Sequence, residues 1–119
     1  MEQRLSQFKL YSHPHKLLIS HLKEVGTLSR NTFLEKRLNI EEYIDIDVLS
    51  KIVYLIGATH DIGKASTYFQ EYLTEKDPIK KRQLKSRNET RHGLLSSIYT
   101  YHITKTYLEQ ISKDKEDYY

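Results

Sequence analysis

His60 and Asp61 put an imidazole beside a carboxylate, followed by Ile62-Gly63-Lys64. A neutral imidazole with a carboxylate suits Mn, Fe, Co, Ni or Zn, and suits Mg through the carboxylate and water. Neighbouring residues on a continuous helix point about 100° apart. At a helix terminus the chain can bend so that both side chains approach one cation. Two further imidazoles, His21 and His92, fall in other segments, and helical bundles build metal centres from one or two inward ligands per helix. The expected metal set is His21, His60, Asp61 and His92, holding one ion, or two bridged by Asp61. Such an ion activates water and neutralises charge on a phosphate oxygen. Lys64, one turn past the pair, joins His60 and Asp61 as the expected catalytic set, either meeting phosphate charge or holding the loop. Taken alone, each residue has a plainer reading: Asp61 as a helix-end cap, His21 and His60 as packed histidines, Lys64 as a solvated turn residue. His13, His15 and His102 read as structural or surface residues.

The elements that must position these groups are mostly helical. Gly and Pro number four and two, which disfavours a turn-rich β fold. Residues 1–12 read as an extended lead-in. Pro14 suits the first turn of a helix capped by Ser12 or His13. Leu17, Leu18, His21, Leu22 and Val25 share a face of that helix, and Gly26 is expected to close it. A short helix is expected over 31–38, and Glu41–Ile46 is ambiguous. Val48, Leu49, Ile52, Val53, Leu55 and Ile56 then mark an apolar helix capped by Asp47, placed at the centre of the domain. It delivers His60 and Asp61, and Gly63 is expected to break it. A helix near 65–73 packs through Tyr68, Phe69, Tyr72 and Leu73, and Asp77-Pro78 marks a turn. Lys80, Lys81, Arg82, Lys85 and Arg87 form a basic surface segment. A last helix is expected over about 90–111 with His92 at its start, followed by a frayed charged tail.

Composition narrows the function classes. The 119 residues fit one domain, with 38% hydrophobic and 29% charged residues. The absence of cysteine excludes disulfides, zinc–thiolate sites and cysteine nucleophiles. A net charge of +3 permits nucleic-acid binding without demonstrating it. The first apolar cluster is interrupted by His and Lys, unlike a signal peptide, and no apolar run approaches the roughly 20 residues that span a bilayer. No membrane partner and a cytoplasmic location are expected.

His60-Asp61-Ile62-Gly63-Lys64-Ala65-Ser66, followed by Phe69-Gln70, resembles the HD-superfamily signature. Leu18-Ile19-Ser20-His21-Leu22 resembles the first-helix histidine segment of the HD nuclease domain of type I CRISPR systems. Arg91-His92-Gly93-Leu94-Leu95-Ser96-Ser97 resembles its third histidine segment. The order and spacing agree over about 12–102. The resemblance implies an all-α HD-domain helical bundle and metal ligation by His21, His60, Asp61 and His92. It implies a metal-dependent nuclease acting on single-stranded DNA in CRISPR antiviral defence, with a divalent ion (Mn, Ni, Co, Mg or Fe). It implies a helicase and an interference complex as partners. The family pattern continues with a His-His pair and a later Asp, which do not appear before Tyr119. Residues 1–119 are therefore expected to form a single HD-type domain lacking its C-terminal part. Missing ligands would come from elsewhere, and exposed apolar surface would favour self-association. The alternatives are an HD phosphohydrolase acting on a small nucleotide, or a catalytically incomplete interaction module.

Overall fold

The computed structural model describes the backbone of residues 9–116 and the side chains of 9–86 and 92–114. Residues 1–8 of the expected lead-in, residues 117–119 of the tail, and the side chains of Arg87 and Arg91 lie outside the described residues. The architecture is all-α with one small hairpin. Strands β1 (Tyr11–His13) and β2 (Lys16–Leu17) precede α1 (Leu18–Glu35) and α2 (Ile46–Thr59). A 3-10 turn (Ile62–Ala65), α3 (Thr67–Thr74) and α4 (Pro78–Glu116) follow.

The hairpin replaces the helix expected to begin at Pro14. β1 and β2 pair antiparallel, with Tyr11 opposite Leu17 and His13 opposite Lys16. Pro14 and His15 form the connecting turn, where a fixed φ and a missing N–H suit a reversal as well as a helix start. Leu18 and Leu22 bury the inner face of α1, and the Leu18 N–H donates to the Leu10 carbonyl at 2.8 Å.

Gly26 does not close α1, which continues through the expected second helix to Glu35. The glycine serves close helix packing. A Cβ at Gly26 would lie 2.9 Å from the Tyr54 ring and 3.0 Å from Ala58 Cβ. Gly57 of α2 meets α1 the same way, with Ser29 Oγ 2.5 Å from its absent Cβ. Two glycines facing across the crossing let the backbones approach where larger side chains would hold them apart. Arg37, in the left-handed region at φ 45°, turns the chain away beyond α1.

α2 starts two residues earlier than expected. Asp45, rather than Asp47, is its cap, accepting from Asp47 N at 2.9 Å and Val48 N at 3.4 Å. Its fully buried positions are small, Ser50, Gly57 and Thr59, while Ile56 is half exposed. Thr59 Oγ1 donates to the Leu55 carbonyl and accepts from Thr100 Oγ1, each at 2.6 Å, tying α2 to α4.

α4 is far longer than expected. Asp77 caps it through Ile79 N at 3.0 Å, and Pro78 takes the first helical position, where its missing N–H costs nothing. The basic segment and most of the tail are thus helical, and His92 stands inside α4, not at its start. Leu94, Leu95, Ile98 and Tyr101 are exposed along it. Among the described residues, no helix is long and apolar enough to cross a membrane.

Candidate metal centre

The chain leaves α2 at His60, which keeps helical angles (φ −56°, ψ −30°). Asp61 departs to φ −116°, ψ 16°, and the 3-10 turn starts with Lys64 N donating to the Asp61 carbonyl at 3.0 Å. That one-residue break is the bend the adjacent pair needs. His60 Nε2 stands 3.1 Å from Asp61 Oδ2. From α1, His21 Nε2 reaches the same oxygen, also at 3.1 Å. One ligand atom each from His21, His60 and Asp61 lie within 4.8 Å of one another.

The surroundings leave these atoms suited to ligation. His60 Nδ1 lies 2.6 Å from the Gly57 carbonyl, which can only accept, so Nδ1 carries the proton. The Nε2 lone pair is then free to face the centre, and this orientation of a ligating histidine by a backbone carbonyl is usual at metal sites. The side chains of His21 and Asp61 are sheltered, at 15% and 17% exposure, whereas His60 is 40% exposed. The centre therefore has a protein side and an open side. Burial pushes the Asp61 carboxyl up, but hydrogen bonds from Lys64 and His21 and the charges of Lys64 and His60 outweigh it. Its pKa falls below the usual 3.8, and the carboxylate is ionised at neutral pH. Two imidazole nitrogens and a carboxylate oxygen fit a divalent transition ion, with room for water on the open side.

Lys64 Nζ also contacts Asp61 Oδ2, at 3.0 Å, beneath the same cluster. His92 stands outside the three-residue group. Its ring meets the Phe69 ring edge-on at 5.5 Å. Its backbone is the surface on which the turn sits, since a Cβ at Gly63 would fall 2.3 Å from the His92 carbonyl oxygen. Gly63 N donates to Ser96 Oγ at 2.9 Å, and Ser96 is 2% exposed. The glycine expected to break the helix instead allows α4 to press on the turn.

Two residues gained roles that their types did not announce. His13 packs edge-on against His21, with ring centroids 5.4 Å apart, and its Nδ1 lies 2.9 Å from Ser12 Oγ. Gln70 joins three segments: its Oε1 accepts from Tyr11 N at 3.1 Å, and its Nε2 donates to the carbonyls of Tyr11 (2.9 Å) and Lys64 (2.8 Å). The Phe-Gln pair following the motif was the available signal for Gln70. For His13 the signal was its place eight residues before His21, across a turn.

The sequence profile described as "Cas3, HD domain" matches residues 9–116. The chain belongs to the Cas3 HD domain family. This is a CRISPR-associated family of HD nucleases, and HD domains are metal-dependent hydrolases, which accords with the His-His-Asp group. The Cas3 HD match spans every element described above, from the hairpin to the end of α4. No curated protein and no solved structure matches the chain.

Proposed function

We propose that this Cas3 HD domain cleaves single-stranded DNA in CRISPR antiviral defence, using a divalent ion held by His21, His60 and Asp61. The convergence of two imidazole nitrogens on one carboxylate oxygen, from α1 and from the end of α2, carries this reading. An ion bound there supplies an activated water and a Lewis acid for the phosphate oxygen. Mn, Ni, Co, Fe and Mg all suit the donor set.

The chain's own groups divide the remaining work. His60, on the open side, faces the direction from which a phosphodiester would arrive. Asp61 stays ionised and anchors both imidazoles. Lys64 stands close enough to the centre to balance phosphate charge. His92 and Ser96 seat the turn that aims Asp61. The family's place in CRISPR interference favours nucleic acid over a free nucleotide as substrate, with a helicase supplying the unwound strand.

The test is incubation of the chain, alone and with its CRISPR-associated helicase, with end-labelled single-stranded DNA and Mn, Ni, Co or Mg. Metal-dependent cleavage that disappears in H60A and D61A is expected. No cleavage with any metal in either setting would overturn the proposal, as would cleavage untouched by both substitutions. Rapid hydrolysis of small nucleotides without DNA cleavage would replace it with a nucleotide phosphohydrolase.

A further inference from the structure

We propose that Lys64 is the resident counter-cation of this centre: its ammonium holds Asp61 while no metal is bound, and an arriving divalent ion must displace it. The inference rests on the reading of His21, His60 and Asp61 as the metal ligands.

Three groups crowd one oxygen. Asp61 Oδ2 has His21 Nε2 and His60 Nε2 at 3.1 Å and Lys64 Nζ at 3.0 Å. Each carboxylate oxygen offers about two lone-pair sites, so an ion seated between the two imidazoles at Oδ2 needs a neighbour of that oxygen to yield. A neutral imidazole with its proton on Nδ1 presents an Nε2 lone pair, as His60 does and as His21 does in that tautomer, so both can stay as ligands. An ammonium has none, and it carries the same sign of charge as the ion. Lys64 is therefore the group that leaves.

Its surroundings make it a competent counter-ion. The Lys64 side chain is only 14% exposed, and a sheltered ammonium is costly unless paired. Asp61 pairs it, and Nζ also lies 5.3 Å from the centre of the Phe69 ring, whose face attracts a cation. The backbone at Lys64 is pinned on both sides, by its N–H to the Asp61 carbonyl at 3.0 Å and by Gln70 Nε2 to its own carbonyl at 2.8 Å. Exchange thus needs rotation of the four-carbon stem, not opening of the turn. Metal entry and Lys64 release become one event. Asp61 is never left unpaired, and the ammonium is freed when a phosphate would first find the ion in place.

The experiment is calorimetric titration of the metal-free chain with Mn²⁺, for wild type, K64M and K64R, with thermal melts of each protein with and without Mn²⁺. Removing one like charge a few ångströms from the ion should tighten Mn²⁺ binding on the order of tenfold in K64M. Metal-free K64M should melt below wild type, and its rise in melting temperature on adding Mn²⁺ should be the larger. K64R keeps the charge and should bind Mn²⁺ within about threefold of wild type. If K64M is too unstable to titrate, K64Q gives the same comparison. Unchanged or weaker binding in the neutral variant, beside measurable binding in wild type, would overturn the role of Lys64 alone. No Mn²⁺ binding in any of the proteins would overturn the metal reading beneath it.

Discussion

Replacing Gly63 with alanine should be the most damaging single-methyl change in the HD turn. The added Cβ would sit 2.3 Å from the His92 carbonyl oxygen, 2.6 Å from its Cα and 2.8 Å from its carbonyl carbon. All three are backbone atoms of α4 and cannot rotate aside. Restoring ordinary contact requires α4 and the turn to separate by on the order of 1 Å. That movement strains two links between them and α2: Gly63 N to Ser96 Oγ at 2.9 Å, and Thr59 to Thr100 at 2.6 Å. Overpacking costs about 1–3 kcal/mol, and loss of a buried hydrogen bond about 1–3 more. G63A should therefore lose about 2–6 kcal/mol, or on the order of 10 °C or more in melting temperature. The control is nearby. A Cβ at Gly93 meets nothing within 4 Å, and the residue lies exposed inside α4. Alanine there should gain about 0.5–1 kcal/mol of helix propensity and raise the melting temperature by a few degrees. Thermal denaturation followed by circular dichroism measures both. The packing of α4 on the turn would be refuted if G63A melted within a degree or two of wild type, or if G93A were equally harmful.

Gln70→Ala removes the three hydrogen bonds that tie the hairpin to α3 and the turn. It should cost about 2–4 kcal/mol and speed amide exchange at Tyr11, and native-like exchange there would contradict the clamp. Acid should loosen the centre through Asp61. Its folded pKa lies below 3.8, so its contribution to stability is complete above that value and is lost as pH falls through the lower folded one. In metal-free protein, D61N should therefore show a flatter acid limb in a plot of melting temperature against pH. An acid limb as steep as that of wild type would show that other carboxyls govern it.

Helix content, the place of His21 on the inner face of α1 and the bend at Asp61 were legible in the sequence, because each rests on a local rule. Apolar spacing placed Leu18, His21 and Leu22 on one face, and adjacency of His60 and Asp61 demanded a helix end. The errors came where distant packing overrode a local signal. Gly26 reads as a helix stop, yet Tyr54 and Ala58 require its bareness within a continuous helix. Gly63 reads as a breaker, yet its demand comes from His92, 29 positions away in the sequence. Pro14 suits a helix start and a hairpin turn alike, and the pairing of Tyr11 with Leu17 selects the turn. His92 has the same ring chemistry as His21 and His60, and no spacing rule reveals that its ring meets Phe69.

The most direct measurement is calorimetric titration of Ni²⁺ into wild type, H21A, H60A, D61N and the control H102A, which alters an exposed residue of α4. Wild type and H102A should bind alike, and loss of any of the three ligands should weaken binding at least about tenfold. Equal affinity in all five proteins, or no heat of binding in any, would contradict the account.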